Sequence, residues 1–153
     1  MNLFIIPYTI EHAKIIASWK YESPYDVYNF PSYEDMVKYN YPYVDPNVTN
    51  YHSITNENNE LVAVCNLIEE DNQVFFGISV DPKYCGKGLS KELLPIIINY
   101  ANNLYHKPLY LQVRIWNERA IKAYQNAGFI IKNKAILKTE TVPALFYIMK
   151  RPS

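Results

Sequence analysis

An α/β fold built on a mixed, mostly antiparallel central sheet is what this sequence predicts, and three observations predict it. Three β-rich runs, Tyr51–Asn56, Leu61–Glu69 and Gln73–Val80, follow one another across short polar turns, the pattern of an antiparallel meander. A long amphipathic stretch from Gly88 to about Leu104 then separates Gln73–Val80 from a further β-rich run at Leu109–Ile115. A helical crossover of that length makes those two strands a parallel pair. The chain of 153 residues is long enough to bury a real core, so a single domain over 1–153 with helices on both faces of the sheet is expected.

Each element follows in order. Asn2–Tyr8 is a first strand, apolar at Leu3, Phe4, Ile5 and Ile6 and stopped by Pro7. Thr9 caps a helix from Ile10, with Ile15, Ile16 and Trp19 on one face. From Lys20 to Pro46 tyrosines alternate with prolines, and Ser32 with Glu34 and Asp35 starts a short helix to about Tyr39. So aromatic a stretch is not a disordered linker; it reads as an ordered, partly irregular flap over the core. Glu57-Asn58-Asn59-Glu60 is a turn between the first two strands of the meander, and Glu70-Asp71-Asn72 joins the second to the third. After the crossover, Asn117 caps a second helix, Glu118–Ala127. Gly128 takes the left-handed position that ends it, so that Phe129 packs back on Tyr124. Two strands, Ile130–Lys138 and Ala144–Lys150, close the chain. One local rule is broken: Pro95 lies about two turns into the main helix, where a kink or bend is expected.

Composition narrows the function classes. Lys plus Arg equals Asp plus Glu at 15 each, so no basic field points to nucleic acid. No apolar run approaches the length of a membrane span, and Met1–Ile10 lacks the form of a signal peptide. Cys65 and Cys85 make neither a disulfide framework nor a metal-ligand spacing, so no metal is expected, and reduced thiols in the cytoplasm are the default.

The chemistry-bearing stretch is Gly77–Leu94, a strand that ends at Val80, a turn with Gly86 and Gly88 about Lys87, and a helix opening straight from that turn. Helix N-termini leave backbone N–H groups unpaired and carry partial positive charge, so the turn is an anion site, with Lys83 and Lys87 beside it. It is not a Walker A loop, since Asp81 stands where the first Gly belongs and Gly88 where the hydroxyl residue belongs. Nor is it a dinucleotide fingerprint, because Lys91 replaces the third Gly and a meander precedes it.

What remains is Val80-Asp81-Pro82-Lys83-Tyr84-Cys85-Gly86-Lys87-Gly88-Leu89-Ser90 followed by Asn117-Glu118-Arg119-Ala120-Ile121-Lys122-Ala123-Tyr124-Gln125-Asn126-Ala127-Gly128-Phe129. This pair of motifs resembles the GCN5-related N-acetyltransferase (GNAT) family over most of the chain. The resemblance implies that the parallel strands splay apart and that acetyl-CoA is the co-substrate. Its pantetheine arm would pair with the edge at Ile78, Ser79 and Val80, and its pyrophosphate would sit on the backbone from Cys85 through Gly86, Lys87, Gly88 and Leu89 to Ser90. It further implies that Asn117 bonds the pantetheine arm and that Tyr124 is the general acid protonating the departing thiolate. The plain structural alternatives are a helix cap for Asn117, which is compatible with the cofactor contact, and a core residue for Tyr124, since Ala120, Tyr124 and Ala127 share a helical face. The family's usual Arg or Gln is replaced by Cys85, its Gly or Ala by Ser90, and the Glu of its pre-loop strand is absent from Val74-Phe75-Phe76. Cys85 as a nucleophile has no neighbouring His, which favours an inert loop residue. Glu22, Asp26, His52, Glu69 and Glu70 are the remaining candidates for a base.

The Trp19–Tyr43 region, where the family keeps acceptor specificity, offers Tyr21, Glu22, Tyr25 and Tyr28 as residues for a small-molecule or peptide amine, through cation–π contact and charge. The expected function is acetyl transfer from acetyl-CoA to a primary amine by direct attack, in a monomer or homodimer without nucleic-acid or membrane partners. The alternative is a non-catalytic acyl-CoA-binding module of the same fold.

Overall fold

The computed structural model describes residues 1–139 and 142–153. Among the described residues seven strands, β1 (Leu3–Pro7), β2 (Tyr51–Asn56), β3 (Leu61–Glu69), β4 (Val74–Val80), β5 (Leu109–Arg114), β6 (Ile130–Leu137) and β7 (Ala144–Arg151), form one sheet. Their hydrogen-bonded order is β1-β2-β3-β4-β5-β7-β6. Among the described residues four α-helices accompany it: α1 (Ile10–Ala17), α2 (Tyr33–Lys38), α3 (Ser90–Tyr105) and α4 (Glu118–Asn126). The mixed sheet with a single parallel pair, β4 with β5, is the one expected from the crossover. Parallel pairing covers Val74↔Leu109 and Phe75↔Tyr110 and, among the described residues, goes no further. Backbone packing divides the chain into two compact units, Met1–Asn66 with Ile78–Lys87, and Leu67–Gly77 with Gly88–Ser153.

In the first unit β1 and β2 pair antiparallel with Ile5 opposite Ile54, and β2 pairs with β3 with His52 opposite Cys65. The β2–β3 turn is built by Asn56, whose side-chain oxygen accepts from the N–H groups of Asn58 and Glu60 at 2.9 and 3.0 Å. Asn59 supplies the positive φ of 60° that the turn requires. Helix α1 buries Ala13, Ile16 and Ala17. Ile15, expected on the same face as Ile16, is instead 41% exposed, against 1% for Ile16. The helix ends at Ala17, so its buried stripe is set by the small Ala13 and Ala17 on either side of Ile16, and Trp19 is buried from beyond the helix.

The tyrosine-rich segment is packed as an ordered layer. Tyr21, Phe30, Tyr33, Tyr41 and Tyr43 lie against a core of Ala13, Ile16, Trp19, Met36 and Val64, and Tyr8, Tyr43 and Tyr51 stack with ring centroids 5.2 and 5.4 Å apart. Ser32 caps α2 as expected, its hydroxyl accepting from Asp35 N–H at 3.1 Å.

The second unit buries Leu93, Leu94, Ile97, Ile98 and Ala101, one stripe of α3, together with Leu109, Leu111 and Val113 of β5 and Met149 of β7. Strand β5 pairs antiparallel with β7 throughout, from Leu109↔Arg151 to Arg114↔Phe146. Helix α3 runs unbroken through Pro95. Pro95 and Lys91 both lie on its exposed side, so the carbonyl deprived of its partner is open to water. Among the described residues no helix is long and apolar enough to cross a membrane.

Candidate active site

In the first unit, β4 ends at Val80 and the loop begins. Asp81 N–H pairs with the Val62 carbonyl at 2.9 Å, and the Asp81 carboxylate accepts from Lys83 N–H at 3.0 Å, so the turn Pro82–Tyr84 is capped at its first residue. Tyr84 and Cys85 N–H groups are used inside this turn, on the carbonyls of Asp81 and Pro82. Cys85 was expected to lend its backbone to an anion, and that N–H is already committed at 3.1 Å. Its thiol is directed at the carbonyls of Val80 and Asp81, 3.8 and 3.7 Å away. Lys83, expected as mobile charge beside the turn, pairs with Glu60 at 3.5 Å and covers the Tyr84 ring.

Beyond Cys85 the loop is different. Among the described residues nothing accepts from the N–H groups of Gly86 and Lys87, nor from those of Gly88 and Leu89, which open the second unit. Gly86 and Gly88 hold φ at 74° and 81°, where an L side chain is strained. At Gly88 an added Cβ would meet no atom within 4 Å, so the glycine is required by backbone conformation alone and the space above it is open. Ser90 begins α3, a helix of 16 residues whose N-terminal dipole favours an anion at this point. A loop of unaccepted N–H groups at a helix start, with no Cβ to obstruct, fits a pyrophosphate.

The acceptor candidates Tyr21, Glu22, Tyr25 and Tyr28 also belong to the first unit. Glu22 and Tyr28 are exposed, Tyr25 half-buried within a 3-10 turn, Tyr25–Tyr28. Tyr21 stands apart from them, because its hydroxyl donates to the Val80 carbonyl at 2.7 Å. Burial, Cys85 and Asp81 together push its pKa above the ordinary phenol value.

In the second unit, Asn117 caps α4 through its side-chain oxygen, which accepts from Ala120 N–H at 3.2 Å. Gly128, at φ 98°, closes the helix as expected, with Gly128 N–H on the Gln125 carbonyl and Phe129 N–H on the Tyr124 carbonyl, both at 3.0 Å. The Tyr124 ring meets Phe129 edge-on with centroids 5.9 Å apart, and Phe129 stacks on Phe76 of β4 at 5.6 Å. Phe76 and Phe129 are buried, whereas Tyr124 is only partly so. Ile121, not Tyr124, is the buried residue of α4. Two participants had no sequence signal: Phe76, and Arg151, whose Nε donates to the Ala127 carbonyl at 2.8 Å at the end of α4.

The base candidates sort by what already holds them. Lys107 pairs with Glu69 at 3.0 Å and donates to the Glu70 carbonyl, while Tyr110 O–H and Gln73 Nε2 donate to the Glu70 carboxylate. Burial and Glu70 push the Tyr110 phenol up to about 12. These exposed contacts lie at the Val74 end of β4, where both carboxylates already have partners. His52, on β2, is kept neutral by burial, which lowers its pKa. Glu22 and Asp26 remain exposed. Among the described residues no three His, Cys, Asp or Glu side chains come together as a metal site. A cavity of about 310 Å³ in the second unit is lined by Pro95, Ile98, Asn102 and Arg151 among others, and holds none of the candidate catalytic, cofactor-binding or acceptor residues.

The profile of the acetyltransferase (GNAT) family matches residues 13–129. Among curated proteins, spermidine N(1)-acetyltransferase of Vibrio cholerae is 23% identical over 128 residues, 80% of this chain and 70% of that protein. The alanine N-acetyltransferase of ribosomal protein bS18 from Escherichia coli is 34% identical over 73 residues. That match takes in 48% of this chain and 47% of the relative, so just under half of each protein is compared. Among solved structures, a spermidine N-acetyltransferase chimera from Vibrio cholerae superposes with a TM-score of 0.75 at 16% identity, covering 99% of this chain and 96% of the other. The Escherichia coli ribosomal-protein-S18-alanine N-acetyltransferase does so at 0.69 and 21% identity, covering 99% and 94%. At these identities the structures establish a shared fold.

Proposed function

The chain belongs to the acetyltransferase (GNAT) family and is an N-acetyltransferase, and from that premise we propose that it moves an acetyl group from acetyl-CoA to a primary amine by direct attack. The observation that carries the proposal is the run Gly86–Leu89, whose N–H groups no described residue accepts and which opens a long helix. When bound, acetyl-CoA supplies a thioester whose carbonyl is open to a nucleophile. The backbone of Gly86, Lys87, Gly88, Leu89 and Ser90 holds the pyrophosphate, and Cys85 contributes as the residue that shapes the turn before it. Ile78, Ser79 and the N–H of Val80 offer backbone groups to the pantetheine arm, the Val80 carbonyl being engaged by Tyr21 and Cys85. Asn117, besides capping α4, bonds the same arm through its side chain.

The reaction forms one N–C bond and breaks one C–S bond. The neutral amine nitrogen attacks the thioester carbonyl, the thiolate leaves, and the nitrogen gives up a proton to water. Tyr124 O–H gives its proton to the departing sulfur and is reprotonated from solvent. The acceptor class follows from charge. Residues 20–46 carry Glu22, Asp26, Glu34, Asp35 and Asp45 against Lys20 and Lys38, among tyrosine faces that attract cations. A polyamine such as spermidine, the acceptor in the name of the Vibrio cholerae relative, suits that segment. The match to the bS18 alanine enzyme favours a second acceptor, a protein N-terminal amine. The chain works as one domain in the cytoplasm, where Cys65 and Cys85 stay thiols.

Isothermal titration with CoA and acetyl-CoA, and thiol release in the presence of spermidine and a panel of other primary amines, test this. Saturable CoA binding with amine-dependent thiol release is the expected result. Binding without release from any amine would overturn the reaction, and no binding would overturn the site.

A further inference from the structure

Residues Lys20–Phe30 form a loop whose two ends are tied together. Tyr21 N–H donates to the Asn29 side-chain oxygen at 2.8 Å, and Lys20 Nζ reaches the Phe30 carbonyl at 3.4 Å. Inside the neck, Tyr25 N–H bonds the Glu22 carbonyl and Asn29 N–H the Asp26 carbonyl, so the loop is closed by its own backbone. The neck is joined to the end of β4 through Tyr21 O–H, which donates to the Val80 carbonyl at 2.7 Å, where the Cys85 thiol also points. The thiol is shared with the Asp81 carbonyl, so the phenol is the shorter and stronger of the two donors on Val80. Glu22, Asp26, Tyr25 and Tyr28 are therefore displayed from a closed loop fastened to the residue at which the Asp81–Lys87 turn begins.

We propose that Tyr21 and Asn29 are positioning residues that select the acceptor: they hold the Glu22–Tyr28 loop at the end of β4, and they do not themselves touch the amine. This reassigns Tyr21 from a substrate contact to a support, and it rests on the reading of the chain as an amine acetyltransferase. The phenol proton is committed to Val80, and burial holds the phenol un-ionised, so the residue supplies geometry and no charge. Acceptor binding depends on the loop's placement, whereas the N–H groups of Gly86–Leu89 do not use Tyr21 at all.

The test compares the full-length wild type with Tyr21→Phe, Asn29→Ala and Asn29→Asp, using spermidine first and then the best amine of the panel. Tyr21→Phe and Asn29→Ala are expected to raise the amine KM about tenfold while kcat and the CoA dissociation constant stay within about twofold. Amide exchange in residues 22–28 should speed up about tenfold or more in both variants, with the rest of the chain unchanged. Asn29→Asp keeps an acceptor oxygen for Tyr21 N–H and should restore both the KM and the exchange protection. An active wild type whose variants show faster exchange but an unchanged amine KM would overturn the positioning role, as would equal losses in amine and CoA binding. Unchanged exchange in both variants overturns the neck itself. A wild type that acetylates no amine removes the reaction, and this inference with it, and is distinguished by that control alone.

Discussion

Tyr21 and Tyr124 are both partly buried phenols in a chain with 15 tyrosines, yet the two units use them differently. Tyr21 is located by its oxygen, which donates to the Val80 carbonyl at 2.7 Å. Tyr124 is located by its ring, set edge-on against Phe129 above a buried Phe76. A phenol whose proton is given to a backbone carbonyl in a desolvated place is a strut. A phenol whose ring is set edge-on against a phenylalanine, on a helix whose two ends are capped, is oriented by aromatic packing. Residue type is the same in both, so the difference lies in what the fold sets against each: a backbone carbonyl at the oxygen of Tyr21, an aromatic ring at the ring of Tyr124.

The contrast can be broken most directly at Tyr124. Tyr124→Phe keeps the ring against Phe129 and removes the hydroxyl proposed as the acid. A loss of about a hundredfold or more in kcat is expected, with the CoA dissociation constant within about twofold. If steady-state kinetics and titration show equal losses in turnover and CoA binding, Tyr124 is a packing residue and the contrast fails.

The two positive-φ glycines of the second unit sharpen it further. At Gly128 an added Cβ would come within 3.0 Å of Arg151 Nε, the group that also bonds the Ala127 carbonyl. Gly128→Ala should therefore cost about 2 kcal/mol, read as a fall of roughly 4–8 °C in Tm. Gly88→Ala meets no atom within 4 Å and strains only φ. It should cost about 1 kcal/mol in stability but weaken CoA binding about tenfold, since the loop's N–H groups turn with φ. Equal effects on CoA binding from the two variants would contradict the assignment of Gly88 to the anion loop.

A smaller effect separates the two roles of Asn117. Asn117→Ala should lower stability by about 1 kcal/mol through loss of the cap, and Asn117→Ser should recover most of it. A CoA affinity that falls in both variants, while stability falls in only one, isolates the side-chain contact to the cofactor from the cap.

The smallest effect lies in the first unit and depends on pH. Burial lowers the pKa of His12 and of His52, so the folded chain resists taking up these protons. The His12 Nδ1 accepts from Thr9 N–H at 3.2 Å and lies 2.8 Å from Ser53 Oγ, contacts that favour the neutral ring. A lowered folded pKa means stability is full above the unfolded histidine value near ~6.5 and declines as pH drops below it. Thermal melts between neutral and mildly acid pH should show that decline, and His12→Gln should flatten it. An unchanged slope would show that His12 does not contribute.

Much of this was legible along the chain. The strand order of the meander, the Glu57–Glu60 turn, the Ser32 and Asn117 caps and the Gly128 closure with Phe129 on Tyr124 were each expected and are each present. All depend on residues within a few positions of one another, where backbone preference and capping chemistry operate directly. The loop at Gly86 and Gly88 was legible for the same reason, since positive φ is a property of the residue itself.

The tertiary structure decided the rest. Which side of α1 is buried turned on Ala13 and Ala17 and left Ile15 exposed, because the stripe is chosen by the partner surface as much as by the helix. That Cys85 N–H is consumed inside its turn, and that Lys107 and Tyr110 pair with Glu69 and Glu70, required the positions of both partners. Tyr21 and Val80 are 59 residues apart, and no period or motif spans that distance. Local sequence fixes the conformation of a residue, but the partner of a side-chain proton is whatever the packed chain brings within 3 Å of it.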